Sequence, residues 1–104
     1  MIMHVRMRRR LLAIGLAATV LAGCSGSTEG KFGGDLYATS CARCHAPDGA
    51  GGIGPPLGPG SEASDLTDAQ LRETVRVGPG TMPSFARLSD AQLDSLVEFI
   101  RSLD

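Results

Sequence analysis

Cys41, Cys44 and His45 form a Cys-x-x-Cys-His run, and these residue types at this spacing can hold a haem covalently. Cysteines three positions apart place both sulfur atoms on one side of a helical turn, where each can add to a vinyl group of haem. The adjacent His45 then lies beneath the iron and can coordinate it. The run predicts one covalently attached c-type haem.

The N-terminal segment has the composition of a secretory leader. Arg6 and Arg8 to Arg10 precede the apolar stretch Leu11 to Ala22. That stretch is shorter than the about 20 apolar residues that a membrane span needs. It ends in Leu21-Ala22-Gly23-Cys24, which resembles the lipobox of bacterial lipoproteins. The resemblance implies removal of residues 1–23 and lipidation of Cys24; an ordinary cleaved signal peptide with Cys24 incidental is the alternative.

A lipidated Cys24 predicts how the rest of the chain is organised. A diacylglycerol and an N-acyl chain together suffice for stable membrane attachment, while the folded part faces water. Residues 24–33 are small, polar and glycine-rich, which is typical of a flexible tether. Residues 34–104 are then one small domain. We expect a bacterial membrane-anchored lipoprotein whose domain lies in the periplasm or extracytoplasmic space.

Charge restricts the partners of the mature chain. The whole sequence has 10 basic and 11 acidic residues, but four of the basic ones lie in the leader. Six basic residues against eleven acidic ones give residues 24–104 a net charge of −5. This balance disfavours nucleic acid and anionic membrane surfaces, and it favours redox-protein partners with a basic docking face. Monomer is the default expectation.

The first helix and the loop after it are predicted to surround the cofactor. The helix runs from about Gly34 to Cys44 and ends at His45. Between Ala46 and Ser64 the sequence contains six glycines and four prolines, so neither a helix nor an interior strand is expected there. A loop of this length in a small domain usually lines a ligand, and here the ligand is the haem.

Two further helices begin with capping signals. Thr67 and Ser89 are N-cap residues, and Gln70 and Gln92 complete capping boxes three positions later. The first of these helices is predicted to end near Val77, before Gly78-Pro79-Gly80. The second carries an apolar stripe at helical spacing, flanked by Phe99 and formed by Leu93, Leu96, Val97, Ile100 and Leu103.

Met82 is the candidate for a second iron ligand. Once residues 1–23 are removed, His45 and Met82 are the only histidine and methionine. Thioether sulfur is a soft ligand suited to haem iron, and a His/Met pair raises the reduction potential. Pro83 favours an extended backbone at Met82. The alternative is that Met82 fills a gap in the core.

Other chemistry for the Cys-x-x-Cys-His run fits the sequence less well. Cys41, Cys44 and His45 supply only three of the four ligands of a structural zinc site, and no second histidine is present in the mature chain. A thioredoxin-like redox pair needs a βαβ pattern around the cysteines, which the sequence lacks.

Residues 34–103 resemble a small bacterial class I cytochrome c at several motifs. Gly34 and Tyr37 resemble the positions where the first helix of that family crosses the last one, with Phe99 as the facing aromatic. The resemblance implies an all-α fold of three main helices around one covalently attached haem, with long Gly/Pro-rich loops and one exposed haem edge. With few aromatic residues and no tryptophan, we expect the haem-free chain to be largely unfolded.

Two further segments carry the resemblance into the haem site. Gly54-Pro55-Pro56-Leu57 resembles a Gly-Pro-x-Leu segment, which implies that the Pro55 carbonyl accepts a hydrogen bond from the imidazole of His45. Met82-Pro83-Ser84-Phe85 resembles a Met-Pro-x-Phe segment, which implies that Phe85 packs near the haem. The region around Met82 departs from the family in having no tyrosine to bond the sulfur.

The expected function is one-electron transfer without catalysis, with His45 and Met82 as axial iron ligands. One alternative is a haem-based sensor or haem enzyme in which Met82 is displaceable. The mature chain offers no second histidine and no obvious distal acid or base for peroxide or oxygen chemistry. Another alternative is a structural subunit whose haem is idle.

Overall fold

The structure is a computed structural model, and it describes residues 27–104. Five helices form in this part of the chain. They are α1 (Gly33–Ser40), α2 (Ala42–His45), α3 (Glu62–Asp65), α4 (Asp68–Val77) and α5 (Asp90–Arg101). No strand occurs in these residues, so the all-α fold is confirmed. The three longest helices are α1, α4 and α5. The predicted leader (1–23) and Cys24 lie outside the described residues.

Helices α1 and α5 cross closely, as predicted. A Cβ atom added at Gly34 would lie 3.3 Å from Cε2 of Phe99, so the small residue allows the two backbones to approach. The rings of Tyr37 and Phe99 pack with their centroids 4.8 Å apart and a tilt of 42°. Leu36 and Tyr37 are almost completely buried at this crossing. The crossing therefore fixes the orientation of α1, which leads into the Cys-x-x-Cys-His run.

Both predicted capping boxes are confirmed. The Thr67 hydroxyl accepts a hydrogen bond from the Gln70 backbone at 3.1 Å, and the Gln70 side chain accepts one from the Thr67 backbone at 2.9 Å. Ser89 and Gln92 form the same pair of bonds at 3.1 and 3.0 Å. At the other end of α4, Gly78 takes a left-handed backbone with φ of +66°.

The region around the haem motif differs from the prediction in two places. The first helix is divided at Cys41, whose φ of −119° separates α1 from α2. A single helical turn, α3, also occupies the end of the segment predicted as loop. It begins after Gly60, the last glycine of that segment, so the sequence no longer opposes a helical turn there.

The core is built on α5. Its predicted apolar stripe is confirmed, because Leu93, Leu96, Val97 and Ile100 are all at most 5% exposed. Phe99 and Leu103 are partly buried against this core. None of the helices in residues 27–104 is both long and apolar enough to span a bilayer.

The segment before α1 differs from the flexible tether predicted for residues 24–33. The buried Gln92 side chain donates hydrogen bonds to the carbonyls of Thr28 at 2.7 Å and Lys31 at 3.1 Å. The Gly33 backbone donates to the Ser95 hydroxyl at 2.9 Å. From Thr28 onward the predicted tether is therefore attached to α5, whereas residues 24–26 lie outside the described residues.

Candidate functional site

One cavity of about 390 Å³ brings together the residues singled out in the sequence. Cys41, Cys44, His45 and Met82 all line it. Much of the remaining lining is apolar and includes Leu57, Leu66, Leu71, Val75, Phe85 and Ile100. A cavity of this size with a few polar groups in an apolar wall is typical of a ligand or cofactor site.

The two cysteines reach this cavity from the junction of α1 and α2. The backbone N–H groups of Cys44 and His45 both donate to the Cys41 carbonyl, at 3.1 and 3.0 Å, which closes a tight turn. Cys41 is buried, Cys44 is half-buried, and neither forms a disulfide. Burial, together with the neighbouring Cys44, raises the pKa of the Cys41 thiol to about 11. This environment favours an uncharged sulfur, as in a thioether.

His45 is held in one orientation by the loop that follows it. Its Nδ1 lies 2.7 Å from the Pro55 carbonyl oxygen, which can only accept, so Nδ1 carries the proton and donates. This leaves Nε2 free to coordinate a metal. A Cβ atom added at Gly54 would lie 2.7 Å from Cε1 of the ring. The absence of a side chain at Gly54 therefore lets the loop approach the imidazole.

The residue after His45 has a strained backbone. Ala46 has φ of 68° and ψ of 156°, a region that is essentially restricted to glycine. Its carbonyl accepts a 2.6 Å hydrogen bond from the Tyr37 hydroxyl and a 3.1 Å bond from the Gly49 backbone. Burial, with the neighbouring Cys41 and Asp48, raises the pKa of Tyr37, so the phenol stays protonated and donates. Sequence reasoning missed this bond.

Met82 lies on a segment that is fastened to the end of α4. The Phe85 backbone donates to the Val75 carbonyl at 3.1 Å, and the Ser84 hydroxyl donates to the Arg76 carbonyl at 2.7 Å. These bonds satisfy carbonyl groups at the end of the helix that would otherwise lack partners. Met82 itself is half-buried and packs against the core.

Several cavity residues were not predicted from the sequence. Leu71 and Val75 on α4 are buried and line the cavity, and their spacing of four residues is a signal that could have identified them. Ile53 also lines the cavity although it is 83% exposed. No local pattern distinguishes Ile53, because the loop folding brings it there.

The residues present fit a covalently attached haem. Two thiols, an imidazole with a free Nε2, a thioether and an apolar wall share the cavity. Within residues 27–104 no three His, Cys, Asp or Glu side chains are arranged to hold a metal ion between them. A helical domain with this motif at a cavity defines the class of c-type cytochromes.

Comparison with known proteins gives the same class. The family described as cytochrome c oxidase, cbb3-type, subunit III matches residues 29–100. This match covers more than half of the chain, so the protein belongs to that cytochrome c family. The cofactor is one covalently attached haem c, and Cys41 and Cys44 are the cysteines of its attachment motif.

Two curated relatives are cytochrome c subunits of larger assemblies. The chain is 36% identical over 76 residues to the cytochrome bc1 complex cytochrome c subunit of Mycobacterium leprae, covering 68% of this chain and 25% of the relative. It is 34% identical over 73 residues to the 4-cresol dehydrogenase [hydroxylating] cytochrome c subunit of Pseudomonas putida, covering 68% and 59%. This chain therefore spans less than two thirds of either relative.

A solved structure supports the fold independently. The KustC0563 c-type cytochrome superposes with a TM-score of 0.63 at 22% identity, covering 71% of this chain and 99% of that one. At this identity the likeness concerns the fold alone. It extends over nearly the whole of that c-type cytochrome.

Proposed function

We propose that this c-type cytochrome transfers single electrons through a haem whose axial ligands are His45 and Met82. The observation that supports the proposal is that both side chains line the same cavity as Cys41 and Cys44. Met82 is the only methionine in the described part of the chain. The thioether of Met82 and the imidazole of His45 would thus each supply one ligand atom to the iron.

The chain's own residues prepare the site for electron transfer. Haem c supplies the one-electron chemistry. The Pro55 carbonyl holds the proton on Nδ1 of His45 and keeps the ring oriented. Nε2 therefore needs no rearrangement to coordinate the iron. The bonds from Ser84 and Phe85 to α4 hold the Met82 segment in place. If His45 and Met82 both coordinated the iron, no position would remain for a substrate, and the domain would act as a carrier.

The second candidate function is a sensor or enzyme in which Met82 is displaceable. One curated relative is a cytochrome c subunit of a dehydrogenase, and a subunit of that kind can carry electrons for a partner that does the catalysis. We therefore favour the carrier here as well. A reversible redox midpoint would also distinguish the carrier from a structural subunit with an idle haem.

Its proposed setting is the extracytoplasmic side of a bacterial membrane, with Cys24 lipidated and the domain in the periplasm or extracytoplasmic space. The acidic balance of residues 24–104 supports donor and acceptor proteins with a basic docking face. Three of the six basic side chains already form ion pairs within the domain, namely Arg72, Arg76 and Arg101. We propose a monomer.

The absorption spectrum of the haem-loaded protein tests the ligand assignment. It is recorded in the oxidised state, the reduced state, and the reduced state under carbon monoxide. A low-spin spectrum with a methionine-to-ferric charge-transfer band and no response to carbon monoxide is expected for a closed His45/Met82 carrier. A high-spin or carbon-monoxide-sensitive spectrum would instead support the sensor or enzyme.

Replacing the proposed thioether ligand gives a sharper test. Met82→Ala should abolish the charge-transfer band and open the iron to carbon monoxide. It should also lower the midpoint potential, because the soft thioether, which favours ferrous iron, gives way to an exchangeable oxygen donor such as water. Thr81→Ala is the matched control, since Thr81 also lines the cavity but offers no soft ligand. An unchanged potential in Met82→Ala would contradict the assignment.

A further inference from the structure

The attachment of the N-terminal segment limits how far the domain can lie from its anchor. Gln92 is only 8% exposed, and its amide binds the carbonyls of both Thr28 and Lys31. A 3.2 Å bond from the Lys31 backbone to the Thr28 carbonyl closes this segment into a turn. Because buried hydrogen bonds are costly to break, the free tether ends at Thr28.

Little chain then remains between the domain and Cys24. Only residues 25–27 separate Cys24 from Thr28. Four Cα-to-Cα steps reach at most about 14 Å when fully extended. If Cys24 carries the lipid, as proposed above, Thr28 lies within that distance of the residue that holds the acyl chains. This is less than half the thickness of a bilayer including its headgroups, about 40–45 Å.

The surface at this point carries an exposed aromatic ring. Phe32, directly before α1, is 51% exposed. Phe, like Trp and Leu, is found on the apolar side of segments that lie at the boundary between headgroups and acyl chains. Lys31 is outnumbered by Glu29, Asp35 and the exposed Asp90 of the first turn of α5, and its amine donates to the Thr39 hydroxyl at 3.0 Å. The apolar ring, rather than attraction to anionic lipids, therefore favours contact with the membrane.

The haem cavity lies at the opposite end of the same helices. Helix α1 starts beside Phe32 and ends at Ser40, which lines the cavity, and its eight residues span about 12 Å. On α5, Gln92 binds the tether, whereas Ile100, eight residues later, lines the cavity. Both helices thus lead from the tether to the cofactor.

We propose that the surface formed by residues 28–32 and the first turn of α5 rests on the bilayer that holds the anchor, with the cavity directed away from it. This anchor-side surface depends on the proposed lipidation of Cys24. Its partner is a lipid surface of zwitterionic headgroups. The arrangement leaves the cavity rim, including the exposed Ile53, accessible to redox proteins.

Lipid photocrosslinking tests the proposal on the full chain, matured with haem and lipid, in phosphatidylcholine vesicles. A photoactivatable group on a fraction of the lipid headgroups marks the residues that touch the bilayer, and mass spectrometry locates the adducts. We expect several-fold more adducts on peptides covering residues 28–35 than on peptides covering residues 50–60. Equal labelling of both regions in vesicle-bound protein would overturn the proposal.

A longer tether provides the matched control without altering the domain. Inserting a Gly/Ser linker of about ten residues after Ser27 should lower adduct formation at residues 28–35 several-fold, while vesicle flotation stays unchanged. Unchanged labelling in this variant would contradict the claim that the short tether keeps residues 28–35 at the membrane. Loss of flotation by the unmodified lipid-matured chain would overturn the anchor itself, and with it this inference. Flotation with uniform labelling would overturn the orientation alone.

Discussion

At the level of single residues, the site depends on how the backbone restrains His45. Pro55 binds the ring through a carbonyl, Gly54 lies against its face, and Ala46 follows it in a strained conformation. Local sequence identifies His45 through its motif, and the resemblance to a Gly-Pro-x-Leu segment implies the bond to Pro55. The approach of Gly54 and the strain at Ala46 appear only in the folded chain. The three restraints determine how firmly the imidazole can hold its proposed position at the iron.

Gly54→Ala should disturb the imidazole directly. The added Cβ would lie 2.7 Å from the ring, so the loop or His45 must move. We expect a weakened charge-transfer band, a shifted midpoint potential and a free energy of unfolding lower by about 1–3 kcal/mol. Gly52→Ala is the control, because its Cβ would make an ordinary 3.4 Å contact with the Cys44 carbonyl. Equal changes in both variants would exclude a specific effect on His45.

The Tyr37 hydroxyl should be coupled to the strain at Ala46. Tyr37→Phe removes the 2.6 Å hydrogen bond to the Ala46 carbonyl and should lower the free energy of unfolding by about 1 kcal/mol. Ala46→Gly should raise it by about 1–3 kcal/mol, because glycine tolerates this backbone. In the double variant the loss of the hydroxyl should cost less, since no strained residue remains to be held.

Denaturant unfolding of the four haem-loaded proteins measures this coupling. If the changes in free energy of unfolding deviate from additivity by more than about 0.5 kcal/mol, the Tyr37 hydroxyl and the backbone of Ala46 are energetically coupled. Additive effects would mean that Tyr37 stabilises the crossing with α5 only, and that other bonds maintain the conformation of Ala46.

At the level of elements, the Met82 segment is positioned by the end of α4. Gly78 has a left-handed backbone, and a Cβ atom there would lie within 3 Å of the Met82 and Pro83 carbonyl oxygens. Gly80 also has a positive φ, of +61°, but has nothing within 4 Å of its Cβ position. An alanine at either position would strain the backbone, but only an alanine at Gly78 would also push the Met82 segment away. Comparing the two substitutions therefore distinguishes backbone strain from displacement of the segment.

Gly78→Ala should weaken the proposed iron–sulfur bond. We expect loss of the charge-transfer band and carbon monoxide binding by the reduced protein, because the Met82 segment must shift away from α4. Gly80→Ala should only lower the free energy of unfolding, by about 1–2 kcal/mol, and keep the spectrum. Spectra and denaturant unfolding of both variants check this. A retained band in Gly78→Ala would show that the segment adapts to the added methyl group.

The elements that could be predicted are those specified by neighbouring residues. The capping boxes at Thr67 and Ser89 involve residues three positions apart, so the starts of α4 and α5 were predictable. The amide of Gln92 also binds carbonyls 61 and 64 residues away, which no local pattern indicates. For the same reason the sequence does not indicate that Ile53 lines the cavity, because the path of a long loop brings it there.

Arg101 gives a second example of a contact that sequence reasoning missed. Its guanidinium donates to the carbonyls of Ala63 and Leu66 and pairs with Asp68. This planar group thus joins the end of α5 to the connection between α3 and α4. The motifs identified the chemical groups, whereas long-range contacts of this kind determine where the helices place them.

At the level of the whole molecule, the haem completes the core. The cavity of about 390 Å³ is lined by residues that are also core residues, among them Leu71, Val75 and Ile100. Without haem this apolar wall would lose its packing partner and face water, which costs about 25 cal/mol per Å² of apolar surface left exposed. The total stability of a small domain is about 5–15 kcal/mol. Cofactor and fold are therefore interdependent.

The haem-free chain should be largely unfolded. Cys41→Ala/Cys44→Ala removes both attachment points while leaving the apolar positions of α4 and α5 unchanged. We expect far-ultraviolet circular dichroism to show little helix, and heating to give no cooperative transition, in contrast to the haem-loaded parent. The capping boxes add only about 1 kcal/mol each, so they cannot replace the apolar contacts that haem would make with the cavity wall. A helical, cooperatively melting variant would mean that the loop residues collapse into the cavity and that α1, α4 and α5 form a sufficient core by themselves.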